Sequence, residues 1–310
     1  MKILITRHDK IGDFCVTLPL FKAIKEQYPT TSIIALVSKV NFNFAENIDF
    51  IDGVILYDKE DFFGTLKKIK EHKFDASISA FIDTRLGFLL FLSGIKTRIA
   101  PATKIAQIFF NKKIVQRRSK VEKTEWQYNM DLGKVLFPNL NLEFSKPLLS
   151  LALSTKQSAI KKIVFHPGFG GSSDGNLKLD DYLALGKVAS KLPSVEVVFT
   201  FGPDDTISKE YISTHLDFEA TILESKMSLI EFCQFLSGCE LFVSTSTGPM
   251  HLAGAVNIKT LSFFGDNLFA SSKRWSSIND TDKQHNFMIN ANYSEQTFDK
   301  IKNTLIEIVS

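Results

Sequence analysis

Cysteine is scarce, with three in 310 residues. Cys15, Cys233 and Cys239 form no Cys-x-x-Cys pair, and any disulfide would leave one thiol over. Cys233 and Cys239 sit in an apolar helical pattern, so buried free thiols are expected rather than a disulfide framework. No cluster of His, Cys and Asp has metal-ligand spacing, which points to chemistry without a metal. Long apolar runs are also missing: Leu86 to Ile95 falls far short of the roughly 20 residues that span a bilayer. The opening MKILITRHDK has neither the apolar length nor the small-residue cleavage site of a signal peptide. A soluble, cytoplasmic protein is the expectation. The net charge of +3 is too small to argue for nucleic acid as a partner. No repeat or low-complexity tract is present.

What the chain does have is alternation. Short β-branched runs alternate with longer amphipathic segments, the pattern of parallel sheets flanked by helices. The length suits two such α/β domains. In the first half the reading predicts strands at 3–6, 33–37, 54–56 and 76–79, and helices at 14–27, 62–72 and 84–92. Periodicity fades between Phe137 and Lys161, around Pro138 and Pro147, and the interdomain linker is placed there. This divides the chain into domains 1–150 and 151–310. The second half predicts strands at 162–166, 195–201, 241–243 and 260–264. Its helices are expected at 179–191, at 228–236, from Pro249 onward, and at 295–309. The last of these could pack back across the junction. The 28 Phe scatter throughout and read as core.

In open α/β sheets ligands gather at the carboxyl ends of strands. Three loops there carry polar chemistry. Arg7-His8-Asp9-Lys10-Ile11-Gly12-Asp13 lacks the G-x-G-x-x-G spacing of a nicotinamide enzyme but places a carboxylate, Asp13, at a helix start. There it is either functional or simply a cap or dipole partner. His166-Pro167-Gly168-Phe169-Gly170-Gly171-Ser172-Ser173 could bring backbone N–H groups close to an anion, or be an ordinary surface turn. Ser244-Thr245-Ser246-Thr247-Gly248-Pro249-Met250-His251 combines hydroxyls, a helix N-terminus opened by Pro249, and a first-turn His251. That set suits phosphate oxygens, although a capped helix that binds nothing has the same outline. Asp205, in Gly202-Pro203-Asp204-Asp205, could hold ribose hydroxyls or cap a helix. Met227 could pack on a base or belong to the core. Between Lys96 and Lys123 stand nine Lys or Arg against one acid, Glu122. This is either a solvated face or one that meets a polyanionic acceptor or an anionic membrane, with Arg117 and Arg118 as candidate acceptor contacts.

With these residues in view, the chain resembles glycosyltransferase family 9, the ADP-heptose:lipopolysaccharide heptosyltransferases. The likeness is carried by RHDKIGDFCVTLPLFKAIKEQYP and by KMSLIEFCQFLSGCELFVSTSTGPMHLAGAVNIKTLSFFGD, and extends over most of the sequence. It implies a GT-B fold: two Rossmann-like domains with an interdomain cleft, acceptor on the first and nucleotide sugar on the second. It also implies that Asp13 is the catalytic base and that Thr247, Gly248 and His251 hold the donor phosphates. Asp205 would take the ribose and Met227 the base. Two departures stand out. Ser246 replaces the Asp that members often carry before Thr-Gly. Gly175-Asn176-Leu177-Lys178 stands where many have Lys-x-Trp-Pro, so Lys178 or the pair Ser172 and Ser173 would have to serve the phosphate.

The resemblance implies an inverting transfer of heptose, or a related sugar, from ADP-heptose or another nucleotide diphosphate sugar. The acceptor is a hydroxyl of an anionic lipopolysaccharide core, which could bring the protein to the cytoplasmic face of the inner membrane. No cofactor beyond the donor is implied. The rivals are a non-catalytic nucleotide-sugar or glycan-binding protein on the same fold, and a nucleotide-sugar epimerase.

Overall fold

The computed structural model describes residues 1–151, 160–168, 175–224 and 226–310. Its first strand, β1 (Lys2–Arg7), is buried from Ile3 to Arg7, as an apolar run flanked on both faces should be. The chain then runs through α1 (Ile11–Cys15), α2 (Leu18–Gln27), β2 (Ser32–Val37), α3 (Lys39–Glu46) and β3 (Gly53–Leu56). There follow α4 (Phe62–His72), β4 (Ala76–Ser79), α5 (Thr84–Leu92), β5 (Thr97–Pro101), β6 (Lys112–Ile114) and α6 (Glu125–Lys134). The predicted single helix 14–27 is instead two, broken at Val16 and Thr17. Pro19 explains the break. It lacks an N–H and suits only a first turn, and it lies in the first turn of α2.

The second set is β7 (Lys161–His166), α7 (Leu179–Ala189), β8 (Val195–Phe201), α8 (Thr206–His215), β9 (Thr221–Glu224) and α9 (Leu229–Ser237). It continues with β10 (Leu241–Thr245), α10 (Gly248–Ala255), β11 (Lys259–Gly265), α11 (Ser272–Trp275), β12 (Gln284–Ile289) and α12 (Glu295–Val309). The chain divides into two compact units, Met1–Leu148 and Leu149–Ser310. The final helix, α12, buries Ile301, Leu305 and Val309 in the core of the second unit and packs on α7.

Each unit holds one six-stranded sheet, ordered β3-β2-β1-β4-β5-β6 and β12-β11-β10-β7-β8-β9. Their neighbouring strands run parallel. Counted from its own first strand, each follows the doubly wound order 3-2-1-4-5-6. The order reverses beside β1 in the first unit and beside β7 in the second. A crevice opens at the carboxyl ends there, between β1 and β4 and between β7 and β10. The three cysteines are all buried, and burial pushes the Cys233 and Cys239 thiols up to about 12, so these two stay protonated.

One glycine fixes how the chain passes the second crevice. A Cβ on Gly175 would sit 2.1 Å from the Phe264 carbonyl carbon and 2.3 Å from the Gly265 nitrogen. The Thr245 hydroxyl donates to the Gly175 carbonyl oxygen, tying the same point to the end of β10. Backbone cannot yield as a side chain can, so Gly175→Ala is expected to cost about 2 kcal/mol in denaturant unfolding. Gly238→Ala, where the new Cβ meets nothing nearer than 3.6 Å, is the control and should be near neutral.

Candidate active site

In the first unit, β1 delivers a buried Arg7 to the crevice. Its guanidinium donates to Asp9 at 2.7 Å and to Asp13 at 2.5 Å, and reaches the Ala80 carbonyl after β4 at 3.4 Å. Asp13 lies in the first turn of α1, but no side chain caps that helix; the carboxylate turns to Arg7 instead. Asp13 therefore caps nothing, though as an acid in the first turn it still complements the helix dipole. Asp13 stays about one-fifth exposed. Burial raises its pKa, Arg7 opposes the rise, and the negative charges of Asp9 and Glu125 add to it. The loop is fixed from behind, as the Thr17 hydroxyl donates to the Asp13 carbonyl and Ser38 and Asn41 donate to that of Asp9.

Beside this pair, His8 is buried and its Nε2 lies 2.7 Å from an Asp83 oxygen beyond β4. Burial works against the Asp83 charge, but hydrogen bonds from His8 and the Leu86 N–H hold its carboxyl below the usual range. Sequence reasoning missed Arg7 and the His8–Asp83 pair as site residues. The available signal was a charged residue closing an otherwise apolar strand. Arg118 donates to Glu125 at 2.7 Å and to Gln116. Glu125 is only 1% exposed, so Arg118 balances a buried carboxylate, whereas Arg117 is exposed.

In the second unit, β7 ends at a buried His166. Its Nδ1 lies 3.1 Å from the Thr200 hydroxyl and its Nε2 3.5 Å from Asp205. Burial lowers the His166 pKa, against the pull of Asp205 and Thr200. Asp205 sits at the N-cap of α8 without capping it, and accepts from the Gly202 N–H at 2.7 Å. A Cβ on Gly168 would fall 2.0 Å from that carboxylate, so glycine is what lets the chain pass Asp205. Gly170, Gly171, Ser172 and Ser173 lie outside the described residues. Lys178 is the N-cap of α7, its ammonium 5.6 Å from the centre of the Tyr293 ring. Asp180 and Asp181 in the next turn complement the helix dipole.

Across the switch point, β10 leads through Ser246 into α10, with Thr247 as its N-cap. The Thr247 hydroxyl does not cap the helix and donates back to the Thr245 carbonyl at 3.3 Å. The first-turn N–H groups of α10 are left without a side-chain cap, an arrangement that suits an anion. His251 is 3% exposed, and burial lowers its pKa to about 4. Its imidazole is therefore neutral at pH 7, with an Nδ1 that finds no partner among the described residues. Trp275 lies 6.5 Å from it and carries the Arg274 guanidinium at 4.8 Å. Met227 is half-buried, just before the Ser228 N-cap of α9. Among the described residues no group of three or more His, Cys, Asp or Glu is placed to hold a metal ion.

Residues 65–304 match glycosyltransferase family 9 (heptosyltransferase). A Haemophilus influenzae protein named "Putative glycosyltransferase" is 37% identical over 304 residues, covering 91% of this chain and 87% of its own. The chain belongs to glycosyltransferase family 9. It is a glycosyltransferase of the heptosyltransferase type. Lipooligosaccharide heptosyltransferase 2 of Campylobacter jejuni is 24% identical over 292 residues, covering 90% of this chain and 86% of that one. In fold, the chain is similar to Escherichia coli ADP-heptose lps heptosyltransferase II. The TM-score is 0.80 at 17% identity, over 100% of this chain and 97% of that one. The two-domain GT-B architecture expected from the sequence is thus the family's. The match to the family begins at residue 65, after the loop that carries Asp13. No helix among the described residues is long and apolar enough to cross a membrane.

Proposed function

We propose that this family 9 enzyme transfers heptose, with inversion, from ADP-heptose to a hydroxyl of a lipopolysaccharide inner-core saccharide. The observation that carries the reading is Asp13: a carboxylate of raised pKa, partly exposed at a switch point and oriented by a buried arginine. The names of the relatives support the sugar and the acceptor. Asp13 takes the acceptor hydroxyl proton as that oxygen bonds to the anomeric carbon. The bond from that carbon to the diphosphate breaks, and ADP leaves with the electron pair. A carboxylate of raised pKa is a better base for this step than an ordinary one. The uncapped turn of α10 and the neutral His251 donate to the diphosphate as charge develops on it. Asp205 takes the ribose and Met227 the base. No cofactor or metal enters this scheme.

The test is to incubate the protein with ADP-heptose and a panel of truncated inner-core acceptors and weigh the products. One acceptor should gain the mass of one heptose while ADP is released. Tight ADP-heptose binding with no product would favour a binding protein, and an isomerised donor without acceptor would favour an epimerase. A Lys178→Ala variant that binds ADP as tightly as wild type would remove Lys178 from the diphosphate site. The acceptor's charge is probed best at Arg117, because reversal at Arg118 would set a second carboxylate against buried Glu125. Arg117→Glu is expected to raise acceptor KM several-fold at low salt and to spare ADP affinity. The effect should fade toward physiological salt, where screening acts over about 8 Å.

A further inference from the structure

We propose that the outer face of α5, with the adjoining 310-helix Ile105–Phe109, docks the first unit onto an anionic lipid bilayer. The α5 sequence TRLGFLLFL is apolar on both sides. Leu86, Leu89 and Leu90 are buried inward, while Phe88, Phe91 and Leu92 face outward at 42%, 52% and 36% exposure. The 310-helix repeats the pattern, with Ala106 buried and Ile105 and Ile108 exposed at 77% and 67%. Phe63 of α4 is exposed at 78%. Ring contacts join the phenylalanines into one surface: Phe63 to Phe62 at 5.5 Å, Phe62 to Phe88 at 5.9 Å, Phe88 to Phe109 at 5.8 Å and Phe109 to Phe91 at 6.2 Å. The 310-helix that carries Ile105 and Ile108 packs on α5. Single exposed apolar residues need no explanation, but a contiguous cluster marks a contact surface.

Charge identifies the occupant. From Thr84 to Val121 there are nine Lys or Arg, of which Arg118 is already paired with Glu125, and no Asp or Glu. The acids at the patch are Glu60 and Asp61, beside Phe62. Arginines rim the rings themselves, with the Arg85 guanidinium 5.1 Å from the Phe62 centroid and that of Arg98 5.5 Å from Phe91. A second copy of the chain, paired about a two-fold axis, would set this basic rim against itself. An anionic leaflet offers the complement: an apolar phase for the Phe and Ile, and beneath the rim a negative surface to which Lys and Arg can reach. Such docking would hold the first unit in the plane where a lipid-anchored saccharide lies. The inference rests on this surface and not on the transfer reaction. Because the experiment measures lipid binding without turnover, its failure is distinct from failure of the proposed transfer.

The experiment is vesicle flotation, comparing vesicles of equal parts phosphatidylglycerol and phosphatidylethanolamine with pure phosphatidylcholine. The wild-type protein should float with the anionic vesicles, lose this binding as salt rises, and stay behind with the neutral ones. Ile105→Ser combined with Ile108→Ser should lower partitioning about tenfold or more, with an unchanged melting curve because both side chains are exposed. Lys112→Glu combined with Lys113→Glu should lower it by a similar factor. The proposal is overturned if wild type does not float with anionic vesicles, or if the isoleucine variant floats as well as wild type. It is also overturned if sedimentation without lipid shows a dimer that the isoleucine variant abolishes, which would assign the patch to a second copy.

Discussion

Asp13→Asn is expected to lower kcat by about 100-fold or more, a loss of roughly 2.7 kcal/mol of transition-state stabilisation. ADP affinity should be nearly unchanged. The amide keeps the volume of the carboxylate, but it cannot take the acceptor proton. The pH profile of kcat/KM gives a second, independent readout. Burial, with Asp9 and Glu125 adding to it, raises the Asp13 pKa against the pull of Arg7. The base works only when ionised, so the rate falls as pH drops through that raised pKa, above where an ordinary carboxylate would set the fall. In Asp13→Asn this acid limb should vanish. Glu125→Gln removes a buried negative charge near Asp13, lowers its pKa and should move the limb to lower pH. An Asp13→Asn enzyme that turns over near the wild-type rate, or that keeps the acid limb, would deny Asp13 the role of base.

Much of the fold is legible because burial imposes it. The predicted spans 62–72, 76–79, 84–92, 195–201 and 295–309 coincide with α4, β4, α5, β8 and α12, each carrying a run or stripe of apolar residues into the core. Some elements left unread are ones that burial hardly marks, although α6, which buries Tyr128, Met130 and Leu132, and β5, buried from Ile99 to Pro101, were passed over as well. β6 is three residues at a sheet edge, none of them buried. α8 buries Ile212 alone, and β12 is half-buried along most of its length. Candidate site residues follow a similar rule. Asp13, Thr247 and His251 stood out as candidates because polar groups crowd the ends of strands. Arg7 was read only as the start of the first loop, because its role depends on Asp9 and Asp13 folding back onto it. Arg118 read as part of a basic surface because nothing local reveals that its partner Glu125 is buried.

The second large effect is on stability against acid, and His251 carries it. Burial lowers its pKa from the ordinary 6.5 to about 4. Above pH 6.5 the imidazole is neutral in the folded and unfolded chains alike, and it adds no pH dependence. Between pH 6.5 and 4 the unfolded chain binds a proton that the folded one refuses, so stability falls as pH drops, by about 3 kcal/mol in all. His251→Phe fills the same space beside Trp275 and cannot titrate. The wild-type protein should therefore lose about 3 kcal/mol more than His251→Phe between pH 7 and pH 4 in urea titrations. His166, whose pKa is also lowered, is present in both proteins and cancels in the comparison. Bound ADP sharpens the test. If His251 faces the diphosphate, the phosphate charge favours the imidazolium, and ADP binding should take up a proton near pH 5. Equal acid slopes in the two proteins would show that His251 titrates freely in the folded state. An ADP affinity with no proton uptake in calorimetry across buffers would place the diphosphate away from His251.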